Sequence, residues 1–399
     1  MRVLLTTIPE RGHFTPLIPL GQALVGAGHA VAVATAESFG AVVDRVGFEH
    51  VPAGIDSREA LRRRLERHPE FAELPADQAW RVVTDYFIGQ FAVALLEDSD
   101  RVLAWRPDVV VREEGEFAGP ILAARARVPW VDHGWGPLRP TDLVTRAAEA
   151  LAPLWVSQGL DPDPTGGAYR WLYLDPCPPS LQFPHADDVA VLHRIRPVSP
   201  LPVNADGAPS WLEQLGDRRA VYVTLGTVPF FAGDVAFFQA AIEALRDQDV
   251  EVIVTVGPAG DPMALGPQPP NVHVERFIPQ ALVLPHCAAV VTNGGSGSTL
   301  GALAAGVPVI AVGDFRSPSQ IRNGQAVADR GAGRALPRAD VTPQRLRDAI
   351  RAVLDEPSYR QVAQQIATEI AEMPSPNDAA DLVARLVEHG QALLRSQST

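Results

Sequence analysis

The chain has 399 residues, of which 46% are hydrophobic and 20% charged, and its formal net charge is -13. That length exceeds one compact core and predicts two domains of ordinary size, while the acidic balance disfavours nucleic acid or an anionic membrane as the main partner. Two cysteines, Cys177 and Cys287, stand far apart and outside any metal-ligand spacing, so both read as reduced thiols of a cytoplasmic protein.

The N-terminal run Val3 to Thr7 is short and apolar and stops at Pro9-Glu10-Arg11-Gly12, which fits a first buried strand and not a secretion signal. No apolar run approaches the length needed to span a bilayer. A turn over Pro9 to His13 leads into a helix with Leu17, Leu20, Leu24 and Val25 on one face, closed by Gly26 and Gly28. A second strand follows at Ala30 to Thr35, completing strand, helix, strand, the unit of a parallel sheet. The pattern recurs at Asp108 to Val111, a helix from about Phe117 to Ala126, and the strand Trp130 to Asp132.

Between these lies a charged helix, Arg58 to Arg67, followed by Trp80, Tyr86, Phe87 and Phe91, which fit either a solvated helix beside the core or the apolar wall of an acceptor site. Residues 161–210, rich in proline and aspartate, read as the tail of the first domain and a linker. A second strand–helix series begins at Ala220 to Leu225 and continues through Val250 to Val256, Val272 to Val274, Ala289 to Thr292 and Val307 to Val312. The expected fold is therefore α/β, two Rossmann-like domains over residues 1–200 and 201–375, with parallel sheets facing across a cleft. The helix at 376–399 carries an apolar stripe, Leu382, Val383, Leu386 and Val387, expected to pack back on the first domain.

The segment with most chemistry in it is Val290-Val-Thr-Asn-Gly-Gly-Ser-Gly-Ser-Thr-Leu. A strand runs into a loop holding Gly294, Gly295 and Gly297, then into a helix. Small residues let backbone N–H groups approach an anion, the helix end adds partial positive charge, and the hydroxyls of Ser296, Ser298 and Thr299 can donate. A Walker lysine is missing and the strict dinucleotide spacing is not met, so the loop fits either a diphosphate cradle or a structural turn.

Around it stand Arg276-Phe-Ile-Pro-Gln and Leu284-Pro-His-Cys upstream, then Gly306-Val-Pro-Val-Ile and Ser319-Gln-Ile-Arg-Asn-Gly downstream. With Gly12-His-Phe-Thr-Pro-Leu, Leu225-Gly-Thr and Met373-Pro-Ser-Pro, this order resembles the family-one inverting glycosyltransferases of GT-B fold, and in particular the antibiotic glycosyltransferases of actinomycetes. The resemblance spans nearly the whole chain and is loosest over residues 40–210.

The resemblance implies a nucleotide-sugar co-substrate, a hydrophobic small-molecule acceptor, no metal and no other cofactor, with a homodimer as one assembly open to it. It implies His13 as the catalytic base and Glu113 as its carboxylate partner; Glu114 is the neighbouring choice, and His133 a second acid/base candidate. On the donor side it implies Gly226 and Thr227 near phosphate, Phe277 and Ile278 at the base, Gly295, Ser296, Gly297 and Ser298 at the diphosphate, and Gln320 on sugar hydroxyls. Phe14, Trp80, Phe87, Phe91 and Trp135 are candidate acceptor walls.

Two further donor-side positions depart from the family pattern: Asn293 replaces a histidine but can still donate to the donor through its amide, and Ser319, beside the sugar, puts one short hydroxyl in place of an aspartate whose carboxylate would accept from two sugar hydroxyls. Arg316 and Arg322 lie nearby in sequence. Relatives that use UDP-sugars carry a glutamate eight residues after that histidine; here the position is Gly301. Gly301 and Ser319 together point to a thymidine diphosphate (dTDP) deoxysugar. Two rivals stand beside this reading: a catalytically weak relative that binds a ligand or partner, and a sugar-nucleotide epimerase.

Overall fold

A computed structural model of the chain describes residues 1–199, 209–216, 218–226, 234–258, 260–314 and 317–395. They form two compact units. The first comprises Met1–Cys177, Phe183–Arg196 and the C-terminal stretch from Met373; the second comprises Pro178–Gln182 and Pro197–Glu372.

The first unit is built on seven parallel strands: β1 (Arg2–Thr6), β2 (Ala30–Thr35), β3 (Glu49–Pro52), β4 (Val109–Glu113), β5 (Trp130–His133), β6 (Leu172–Asp175) and β7 (Leu192–Arg194). Their order across the sheet is β3-β2-β1-β4-β5-β6-β7. Leu4, Leu5, Val33, Val110 and Val111 are fully buried, because helices cover both faces of a parallel sheet and force near-continuous apolar runs. Within the first helix Leu17, Leu20 and Leu24 are buried, but Val25 is 46% exposed: one residue beyond Leu24 it turns 100° off the buried stripe.

Two strands lie where proline and aspartate predict only a linker. β6 and β7 have four and three residues, too short for periodicity to show, yet Leu172, Leu174 and Leu192 are fully buried. The helix Pro376–His389 opens on a capping box at Ser375 and Asp378 and sets Ala379, Ala380, Val383 and Leu386 into the cluster that holds Val3, Leu5 and Leu24. Leu382 and Val387 pack against the same cluster from its margin. Arg196 N–H donates to Pro374 O nearby.

The second unit repeats the plan with six parallel strands: β8 (Ala220–Thr224), β9 (Glu251–Thr255), β10 (Val272–Glu275), β11 (Cys287–Thr292), β12 (Val309–Gly313) and β13 (Gly333–Pro337), ordered β10-β9-β8-β11-β12-β13. Each sheet reverses its winding between its first strand and the strand beside it, at β1/β4 and at β8/β11. Loops leaving the carboxyl ends there diverge to opposite faces and open a crevice, the usual ligand position of open α/β sheets. No helix among the described residues is long and apolar enough to cross a membrane.

Candidate active site

The loops at both reversals carry the chemistry-bearing residues. In the first unit, β1 ends and the chain enters a short helix, Arg11–Phe14, whose first turn includes His13. β4 ends on Glu113, fully buried. His13 Nδ1 lies 3.0 Å from Glu113 Oε1, and the imidazole side chain is 14% exposed. The carboxylate also accepts from the backbone N–H groups of Ile8 and Gly115. A buried carboxylate that only accepts fixes the tautomer: Nδ1 carries the proton and donates, and Nε2 keeps its lone pair. Two aromatic rings meet the imidazole edge-on, Trp135 at 4.4 Å and Phe87 at 5.6 Å between centroids.

Glu114 points elsewhere. Its carboxylate pairs with Arg139 Nε at 3.0 Å and accepts from the backbone N–H of Trp135 at 3.2 Å. It belongs to a buried polar layer in which Arg112 pairs with Asp132 and Glu116 accepts from Thr6 Oγ1 and the N–H groups of Ala118 and Gly119. Burial pushes the Glu116 carboxyl up while those donors oppose the shift. A small cavity lined by Arg112, Glu114, Arg139 and Tyr173 belongs to this layer and not to His13. His133 lies in the layer as well, 3% exposed, donating Nδ1–H to Gly134 O at 2.9 Å. Burial drives its pKa down to about 4, so it is a neutral core histidine with no exposed edge for a substrate proton.

The five candidate wall residues separate. Phe87 and Trp135 flank His13. Phe14 is 1% exposed and packs at 5.8 Å against Phe39, because the helical step from His13 swings it into the core. Phe91 is 5% exposed and sits in a cluster with Ile8, Ile55 and Ala60. Trp80 packs on the core helices under Arg146, whose guanidinium lies 4.8 Å from its ring. Neither Phe91 nor Trp80 has a ring contact with His13. Phe87 and Phe91 both come from a π-helical stretch, Val82–Ala92, a rare geometry that recurs near functional sites.

In the second unit, β11 ends on Thr292 and the helix Ser296–Ala304 begins after Gly295, which has extended backbone and no side-chain cap. Ser296 and Ser298 are partly exposed and Gly297 is exposed, so the first-turn N–H groups are open to a ligand. Asn293 is 2% exposed; its Nδ2 donates to Leu225 O at 2.8 Å and its Oδ1 accepts from Gly295 N at 3.0 Å. Both ends of the amide make hydrogen bonds within the protein, so Asn293 ties the loop after β8 to the glycine loop. Thr299 is 2% exposed and turns inward, unlike its neighbours Ser296 and Ser298.

Gly226 has a φ of 72°, and a Cβ there would lie 3.8 Å from the Asn293 amide and 4.0 Å from Ser298 Oγ, which places it beside the glycine loop. Thr227 and Arg316 fall outside the described residues. Phe277 is 56% exposed whereas Ile278 is 1% exposed, so Ile278 is a core residue and only its neighbour offers a ring.

Helix Pro318–Arg330 brings Ser319 and Gln320 to the same loop. Gln320 is 5% exposed and its Oε1 meets no donor among the described residues. Asn323, three residues on, was not legible as a site residue; its Nδ2 donates to Gly294 O at 2.8 Å and to Ser296 Oγ at 3.0 Å. The i,i+3 spacing from Gln320 was the available signal.

Residues 22–226 and 239–388 match the N-terminal and C-terminal domains described as erythromycin biosynthesis protein CIII-like. The chain belongs to this family of glycosyltransferases. It is 34% identical to L-demethylnoviosyl transferase of Streptomyces niveus, across 96% of this chain and 98% of that one. It is 32% identical to 4'-demethylrebeccamycin synthase of Lentzea aerocolonigenes, across 97% and 99% of the two chains. Among solved structures, the glycosyltransferase VinC in complex with dTDP superposes with a TM-score of 0.77 at 27% identity, covering 98% of this chain and all of that one. Family membership sets aside the epimerase alternative and makes the chain a glycosyltransferase of the antibiotic and natural-product class, with the GT-B fold.

Proposed function

We propose that the chain is an inverting glycosyltransferase that moves a deoxysugar from a dTDP donor to a hydroxyl of a hydrophobic natural-product aglycone in the cytoplasm. The observation that carries this reading is the His13–Glu113 pair. Nε2 of His13 accepts the acceptor's hydroxyl proton as the oxygen attacks the anomeric carbon; the sugar–phosphate bond breaks on the opposite face, and the diphosphate leaves with that bond's electron pair. Glu113 holds the tautomer and stabilises the imidazolium that forms.

In this reading residues 1–200 serve the acceptor and residues 201–375 the donor. Backbone amides at Gly295 to Ser298, with the two serine hydroxyls and Gly226 alongside, meet the charge developing on the diphosphate. Phe277 offers a ring to the base, and Ser319 and Gln320 border the sugar. The burial of Asn293 between two loops argues that the exchange of histidine for asparagine is a structural tie, not a sign of lost activity.

The dTDP assignment rests on Gly301. Glycine offers no carboxylate to ribose hydroxyls, and a Cβ there would lie 3.1 Å from Gln280 Nε2 and 3.2 Å from Ser199 Oγ, a tight fit that those side-chain tips would have to relax to admit. A deoxyribose, with no 2′-hydroxyl, leaves less unsatisfied there. The dTDP complex of VinC is consistent with it. Equal concentrations of UDP-glucose and several dTDP-deoxysugars, compared by specificity constant for donor hydrolysis or transfer, test the choice. The dTDP sugars are expected to win; a higher constant for UDP-glucose defeats it. Ser319→Asp is expected to shift preference toward fully hydroxylated sugars, because a buried hydroxyl left unpaired costs about 1–3 kcal/mol.

A further inference from the structure

Glu113-Glu114-Gly115 closes β4 with three residues that point to three different tasks. Glu113 takes His13 Nδ1 and receives the Gly115 N–H. Glu114 takes the backbone N–H of Trp135 at 3.2 Å and pairs with Arg139, itself 7% exposed. At Gly115 the backbone lies outside the left-handed region, so any L-residue could adopt it. Space is what excludes them: a Cβ would stand 2.4 Å from Trp135 Cη2 and 2.8 Å from His13 Cε1.

The benzo edge of Trp135 and the Cε1 corner of His13 thus converge on the bare Cα of Gly115. The two rings cross at 86° with centroids 4.4 Å apart. The indole N–H of Trp135 is buried and meets no acceptor among the described residues, so no side-chain hydrogen bond holds that ring in place. Packing on Gly115 and His13, and the grip of Glu114 on its main chain, do so instead.

The geometry points to Gly115 and Trp135, with Glu114 and Arg139 behind them, as positioning residues that lock the plane of the His13 ring. A single hydrogen bond at Nδ1 does not by itself fix the side-chain torsions that set the ring plane. Edge contacts with the indole and with Phe87 remove that freedom, so Nε2 keeps one direction without help from substrate. Glycine at 115 is then a requirement of the base, and the buried Glu114–Arg139 pair serves the site although neither group touches His13. This rests on His13 being the base, and it adds which residues aim it.

The test uses the full chain labelled with 15N-histidine, with His13→Ala to assign the His13 ring signals. Gly115→Ala, Trp135→Ala and Trp135→Phe are compared with wild type for kcat, donor KM and ring 15N shifts in the absence of substrate. A displacement of about 1 Å at a reacting group is expected to cost ten-fold or more in kcat, with donor KM unchanged. The single Nδ1–H tautomer is expected to give way to a mixture in Gly115→Ala and Trp135→Ala, and Trp135→Phe, which keeps a ring edge, to recover most of both. Folded Gly115→Ala and Trp135→Ala proteins with wild-type kcat and unchanged shifts overturn the proposal. A fall in kcat with unchanged shifts also overturns it, since Trp135 then acts on the acceptor alone. Should Gly115→Ala not fold, the two Trp135 variants decide. Full activity in His13→Ala removes the base assignment, while the ring shifts still report whether the imidazole is locked.

Discussion

Replacing His13 with alanine is expected to lower the rate on a hydroxyl acceptor by a factor of about 100 or more, the usual scale for a lost general base. The substitution removes the one ring nitrogen that the Glu113 contact leaves with a free lone pair. It also leaves a fully buried carboxylate with, among the described residues, the N–H donors of Ile8 and Gly115. Glu113→Gln is therefore expected to do less harm: the ring stays, but the amide no longer stabilises an imidazolium and can present its NH2 to Nδ1, selecting the wrong tautomer. Glu114→Gln is expected to act differently again, through the buried Arg139 it leaves without a countercharge. Steady-state kinetics on the three variants, with dTDP affinity measured alongside, check the order. Donor affinity is expected to stay at the wild-type value in His13→Ala, since that residue belongs to the first unit and the loop proposed to hold the diphosphate to the second. An unchanged rate in His13→Ala removes the residue from the mechanism.

Replacing Gly294 with alanine is expected to abolish donor binding and destabilise the second unit. Gly294 has a φ of 80°, and a Cβ there would stand 2.6 Å from the backbone oxygen of Gln320. The left-handed backbone alone costs an alanine about 1–2 kcal/mol. The collision adds to that, because a main-chain carbonyl in a helical turn cannot move aside like the tip of a flexible side chain. Relief requires either the glycine loop or the start of helix Pro318–Arg330 to shift. The first aligns the N–H groups proposed to meet the diphosphate, and the second carries Ser319 and Gln320. Asn323 bridges the two, so a shift breaks its bonds to Gly294 O and Ser296 Oγ as well. Calorimetric titration with dTDP and a thermal melt check both effects. Wild-type affinity together with an unchanged midpoint contradicts the role given to this loop.

Much of the fold was legible because a parallel sheet covered on both faces writes itself as unbroken apolar runs. β2 over Ala30–Thr35 falls on such a run, and β8, β9 and β12 differ from theirs by one or two residues at an end. The strands that escaped are short or at a sheet edge. β13, Gly-Arg-Ala-Leu-Pro, opens on glycine and closes on proline and so shows no apolar run, yet at the edge of a sheet proline loses no needed ladder bond.

The site was legible by loop and less so by residue. The glycine loop and the first turn after β1 announce themselves through composition. Which of two adjacent side chains faces the site does not, as the pairs Glu113/Glu114, His13/Phe14 and Phe277/Ile278 show, because a one-residue error turns a side chain to another face. Gly115 escaped for a different reason: its role depends on Trp135, twenty residues on in sequence and on the neighbouring strand's loop, and no local pattern encodes a collision between distant rings.

The central claim is a direct displacement at the anomeric carbon, with His13 taking the acceptor proton. Its most direct test is the configuration of the product. The purified chain is incubated with a dTDP-deoxysugar of known anomeric configuration and a hydroxyl-bearing hydrophobic aglycone, and the glycoside is read by NMR from its anomeric one-bond carbon–proton coupling. One displacement driven by one base predicts a product whose anomeric configuration is opposite to the donor's, formed by wild type and lost in His13→Ala. A glycoside that retains the donor's configuration requires two displacements or a covalent glycosyl intermediate, and it contradicts the account.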